Sequence, residues 1–184
     1  VALVAVVSGY GIVRLGITPD GGDVARIATF AVIAIAYVGV WLAFAVLVSV
    51  LTRRAATAVL TTIAAWLVLT LFSGLIFGAL ADVFSPAGDD ASAQELVDNV
   101  RTELTISRIS PEQLYNEAAT ALLNPQVRTI GVVSAVQLDQ ALPDPLAWDQ
   151  SLLLVWPHAV ALVAVTVVLF IVAFVVFMRQ EIRA

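Results

Sequence analysis

The side chains able to do chemistry are few and scattered. The chain has a single histidine, His158, and no cysteine, which excludes disulfide and thiolate chemistry. Metal sites need several ligands converging on one point, and the carboxylate nearest to His158 in the chain is Asp149, nine residues earlier. An isolated imidazole of this kind reads first as a packed interfacial side chain; a contact with Asp149 stays open. There is no HExxH, no GxSxG and no pair of aspartates inside an apolar run, so the chain reads as no enzyme, with no catalytic, cofactor-binding or metal-ligating residue. No GxxxxGK[ST] loop occurs, so the chain is not itself an ATPase.

Hydroxyl and glycine positions gather in one apolar stretch: Thr57, Thr61, Thr62, Thr70 and Ser73, with Gly74 and Gly78 beside them. Small residues four apart let helices approach closely in lipid, and we favour that role for Gly74 and Gly78 over contact with a substrate. Ion-coupled carriers place Asp, Glu, His or Arg within the bilayer, where the coupling ion needs a polar partner. The apolar runs here have no formal charge, so energy for any transport is expected from another subunit.

The elements that carry these residues are membrane spans. Hydrophobic residues make up 61% of the chain and charged ones 12%, against roughly 25% charged in a soluble domain. Residues 27–51, 55–81 and 151–178 are long uncharged runs. A helix of about 25 residues reaches ~38 Å, enough to cross ~30 Å of hydrocarbon with some tilt. Residues 1–12 are too short to cross and read as the outer half of a span whose beginning precedes Val1. The expected fold is therefore an all-α polytopic bundle, three full spans plus one partial.

Arginine sets the expected orientation. Arg53 and Arg54 fill the short 52–54 turn, and Arg179 and Arg183 follow the last span in the 179–184 tail. Basic residues beside spans favour the cytoplasm. The two signals agree in parity and place loop 13–26 and segment 82–150 outside. Trp41 and Trp66 fall mid-span as packing residues. Trp148 and Trp156 flank the outer start of the last span, and Pro157 suits the first turn of a helix.

The net charge is −5 with no lysine, and Asp82 to Asp149 holds eleven of fourteen acidic residues. An acidic surface argues against nucleic-acid binding. It fits either plain solvation or a docking face for an extracytoplasmic protein or a cationic cargo. Ser92-Ala93-Gln94-Glu95 reads as a capping box ahead of Leu96, Val100 and Leu104; Ser110-Pro111-Glu112-Gln113 starts a second helix with a Leu114, Ala118, Leu122 stripe. A third helix is expected to carry Val127, Ile130 and Val133, and Pro143-Asp144-Pro145 to return the chain to the membrane. So thin a core is marginal alone, so the acidic helical domain is expected to lean on lipid, on the spans or on a second copy.

Several stretches together resemble the ABC-2 type transporter permeases, in the branch of the NosY permease of copper-enzyme maturation. Tyr37 to Phe44 leading through Leu47–Thr52 to Arg53-Arg54-Ala55-Ala56-Thr57-Ala58 is similar to the family's connection between its fourth and fifth helices. Ile109 to Ala118 running to Leu122-Leu123-Asn124-Pro125 resembles its outer helical segment between the last two spans, and Phe177 to Arg183 resembles its ending. The resemblance covers roughly residues 27–184 and implies six spans with both ends cytoplasmic, of which this chain would hold the third, in part, to the sixth. It implies a multi-pass permease in a prokaryotic plasma membrane, a second permease subunit, and two cytoplasmic ABC ATPase subunits that bind ATP. The family's main coupling loop would precede Val1. Two other functions stay open: a membrane scaffold or sensor whose outer domain docks a partner, and an ion-coupled secondary carrier.

Overall fold

A computed structural model describes Tyr10 and residues 20–88, 91–124 and 146–181. Among these the secondary structure is entirely helical. The partial span 1–12 (Tyr10 apart), the third outer helix with Val127, Ile130 and Val133, the Pro143–Pro145 return and Arg183 lie outside the described residues.

Among the described residues three helices are long and apolar enough to cross a membrane. The first, α1, runs Gly21–Thr52. It begins six residues before the uncharged run, so Gly21 to Arg26 are helical and not loop. The cause is a reciprocal cap: Asp20 accepts from the Asp23 N–H at 2.7 Å and Asp23 accepts from the Asp20 N–H at 3.3 Å, satisfying two donors that the helix start leaves open. The other end closes on Arg53 in the left-handed region (φ 55°), whose N–H reaches the Ser49 carbonyl at 2.8 Å. Helix α2, Ala55–Phe84, follows after a two-residue turn.

Helices α3 (Ala93–Ser107) and α4 (Pro111–Leu123) are joined by the three-residue bend 108–110 into an open hairpin whose two arms pack on different spans, and α5 spans Trp148–Glu181. Because α5 starts at Trp148, Pro157 sits inside it and not in its first turn. Position 157 then offers no N–H to the Leu153 carbonyl, a loss that a membrane helix tolerates where neighbours supply other polar contacts.

The hairpin does not stand apart from the spans. Helix α4 packs on both α1 and α5, while α3 packs on α2. The Leu114, Ala118, Leu122 stripe is buried together with Ala121 against Ile33 and Val40 of α1 and Val155 and Leu162 of α5. On α3 only the last residue of the expected stripe, Leu104, faces α2, while Leu96 is 50% and Val100 42% exposed. Its contact side carries Asn99, which donates to the Asp82 carboxylate (2.8 Å) and the Ser85 carbonyl (2.7 Å), both at the end of α2. In lipid an apolar stripe gains little by leaving its surroundings, so packing and hydrogen bonds decide which side is used.

The register fixes how deep the hairpin goes. Leu122, at the end of α4, lies at Arg26 near the start of α1, and Glu112, at its beginning, lies at Tyr37. Helix α4 is thus antiparallel to α1, with its N-terminus pointing toward the Arg53 end. Tyr37 is fifteen residues before Thr52, about 22 Å along the helix, which is less than the ~30 Å hydrocarbon thickness. At the far end Arg53 Nε donates to Gln180 Oε1 and Gln180 Nε2 to the Val50 carbonyl, both at 3.3 Å, tying α1 to α5.

Candidate functional site

Polar side chains that are far apart in sequence meet where α4 enters the groove between α1 and α5. Their positions follow from the helix period. Gln113 and Glu117 are four apart and lie beside the buried stripe of Leu114 and Ala118, so burying the stripe draws Glu117 in with it.

Glu117 is 8% exposed and three donors converge on it. Gln113 Nε2 donates to Oε1 at 2.9 Å, while Arg108 Nε (2.9 Å) and His158 Nε2 (2.7 Å) share Oε2. Desolvation pushes the carboxyl up. The hydrogen bonds from Gln113, His158 and Arg108, with the Arg108 charge, outweigh it and hold Glu117 below the usual carboxylate range. The His158 side chain is 9% exposed, and its Nδ1 is buried without a hydrogen-bond partner. A cavity of about 260 Å³ adjoins the pair, lined by Arg108, Leu114, Leu154, Pro157 and His158.

One turn lower, Tyr37 OH donates to Glu112 and accepts from Trp66 Nε1 at 2.9 Å, linking α4, α1 and α2. The Tyr37 ring stacks on Tyr115 with centroids 4.6 Å apart. At the upper end of α4, the buried Arg26 guanidinium donates to Ser151 Oγ (2.7 Å) and to the Leu146 and Leu122 carbonyls. Among the described residues no carboxylate pairs with it; the Leu122 carbonyl at the end of α4 lies at the negative pole of that helix.

The residues singled out by sequence fall as follows. His158 has a carboxylate partner, but it is Glu117 and not Asp149. Gly74 and Gly78 meet no helix backbone: a Cβ at Gly74 would touch nothing within 4 Å, and one at Gly78 only Glu103 Oε1 at 3.9 Å. Gly74 borders a smaller cavity of about 90 Å³ with Ser73, Phe77, Glu103, Leu104, Ser107 and Gln113. Arg54 and Arg179 are exposed, at the same end as Arg53. Trp41 packs edge-on against Tyr37 and Phe44. Trp66 is a hydrogen-bond donor to Tyr37, beyond the packing role expected of it.

Sequence reasoning missed Arg26, Tyr37, Arg108, Glu112 and Glu117. Glu117 left one trace, a carboxylate on the border of a good apolar stripe. The uncharged runs carry no formal charge, as read, but the bundle still holds ionisable groups: Tyr37 and His158 lie within the runs, and the hairpin brings Arg108, Glu112 and Glu117. Among the described residues no three His, Asp or Glu side chains gather as a metal site would require. What the cluster can do is fasten the hairpin to the spans.

Long apolar helices around a buried polar cluster define a multi-pass α-helical membrane protein. The family model of the ABC-2 family transporter protein matches residues 1–182, and the chain belongs to that family. No curated protein and no solved structure is found to match.

Proposed function

We propose that the chain is the membrane-spanning permease subunit of an ATP-driven exporter, paired with a second permease subunit and energised by separate cytoplasmic ABC ATPase subunits. The family match across a chain with three spans carries this reading. The proposal places the end bearing Arg53, Arg54 and Arg179 in the cytoplasm of a prokaryotic cell, following the preference of basic residues for that side. The α3–α4 hairpin then enters from the extracytoplasmic face. The Arg53–Gln180 tie supports it, since it joins the cytoplasmic ends of two helices near the surface where an ATPase would dock.

Affinity purification of the tagged protein from its native membrane tests the proposal. The expected result is co-recovery of a cytoplasmic subunit with a GxxxxGK[ST] loop, and ATP hydrolysis that falls when the two are separated. An intact, folded permease recovered repeatedly without any such subunit overturns it.

A further inference from the structure

We propose that the cavity between α2, α3 and the start of α4 is a binding site for a primary ammonium group, with Glu103 as its counter-charge. The reading depends neither on the orientation given above nor on an ATPase.

Glu103 stands apart from the other carboxylates that face the spans. Glu117 meets three donors, Glu112 accepts from Tyr37, and Asp82 accepts from Asn99. Among the described residues Glu103 has no hydrogen bond and no ion pair. It nevertheless turns inward. The side chain is partly buried and lines the cavity, and its Oε1 lies 3.9 Å from the point a Cβ on Gly78 would take.

The register of α2 gives the depth. This helix has 30 residues, about 45 Å, so when centred it overhangs ~30 Å of hydrocarbon by roughly 7 Å at each end. Gly78 is six residues and Ser73 eleven residues before Phe84, about 9 and 16 Å down the helix. The cavity therefore begins where the hydrocarbon begins and extends below it. A carboxylate at that depth is costly unless an opposite charge meets it.

The rest of the lining says which cation. Ser73 makes no hydrogen bond among the described residues. Ser107 Oγ donates to the Leu104 carbonyl at 3.0 Å and keeps its lone pairs. Gln113 gives Nε2 to Glu117, which leaves Oε1 on the other edge of the amide as an acceptor. One carboxylate and three neutral oxygens suit a single positive charge that carries several donors, and an –NH₃⁺ group has three. Carbon is accommodated too. The volume of about 90 Å³ exceeds the ~10–15 Å³ that one water needs, and Phe77 and Leu104 form apolar walls. A second observation lies one turn deeper on the same face of α2. There Thr70 Oγ1 is buried without a hydrogen-bond partner among the described residues, and a buried hydroxyl of this kind calls for a polar partner.

Ethylammonium is the probe. It is titrated by ligand-observed NMR into the purified protein in nanodiscs of phosphatidylcholine, whose headgroup carries no N–H. The expected result is saturable binding that Glu103→Gln weakens about tenfold or more, as loss of a hydrogen bond to a charged group would. Asp149→Asn, the same charge change at an exposed position on α5, is expected to leave binding unchanged. Tetramethylammonium, equal in charge but without N–H donors, is expected to bind at least several-fold more weakly. Repeating the titration in phosphatidylethanolamine identifies the source of the amine: a lower apparent affinity in wild type means that the lipid headgroup competes, and an unchanged one means a free amine. Absence of saturable binding in phosphatidylcholine, binding that survives Glu103→Gln, or equal binding of tetramethylammonium or sodium overturns the proposal. The comparison of cations in the wild type decides alone if the variant does not fold.

Discussion

Arg26 near the start of the first span and Ser151 near the start of the last are 125 residues apart and joined by a 2.7 Å hydrogen bond. The same guanidinium reaches the Leu122 carbonyl, so one side chain closes the junction of α1, α4 and α5. An arginine can do this because its planar fork offers several donors at fixed angles, whereas a lysine is a point charge.

Arg26→Lys is therefore not conservative. It keeps the charge but cannot reach three separate acceptors, and is expected to cost about 1.5–3 kcal/mol, the range for hydrogen bonds to charged groups. A thermal melt in detergent measures it. A melting temperature equal to wild type would show that the junction contributes nothing.

Tyr37→Phe separates the ring from its hydroxyl. The stack on Tyr115 stays, and the link from Glu112 through the hydroxyl to Trp66 is lost. Leaving the partly buried Glu112 carboxylate without this donor is expected to cost about 1–3 kcal/mol. Tyr37→Ala also removes the ring and should cost more, about 3–5 kcal/mol by analogy with large aromatic truncations. Equal losses for the two variants would assign the whole effect to the hydroxyl and none to the ring.

Glu117 predicts an acid-side limit to stability. Its carboxyl is held below its unfolded value. The stability it adds is thus present above about pH 4.3, the ordinary glutamate value, and is lost as pH falls below that through the lower folded value. Melts between pH 3 and 6 should fall more steeply for wild type than for Glu117→Gln, which starts less stable. Parallel curves would remove Glu117 from the account.

Topology is tested with cysteine, absent from the natural chain. Ala93→Cys and Ala55→Cys are both exposed positions, and neither replaces Ser92, whose hydroxyl bonds Glu95 in the α3 cap. In intact cells an impermeant maleimide should label position 93 and spare position 55. The reverse pattern would invert the orientation.

The spans were legible because lipid imposes a condition that any reader of the sequence can apply: long uncharged stretches must be helical. The Ser92–Glu95 cap and the Leu114, Ala118, Leu122 face were legible for the same local reason, since caps and helix periods are written over a few residues. What could not be read was the placement of the hairpin. Glu117 and His158 meet across 41 residues and Tyr37 and Glu112 across 75, and no local pattern encodes such a pairing. The exposed Leu96 and Val100 show the converse: periodicity named an apolar face, and hydrogen bonding from Asn99 chose another.

The hairpin has divided loyalties. One arm is held by α2 through Asn99, the other by α1 and α5 through Arg26, Tyr37 and His158. Any stroke that parts the second span from its two companions must therefore be absorbed at the bend of Arg108, Ile109 and Ser110. Those three residues are the place where a relative displacement of the spans would become a change of angle between the two arms.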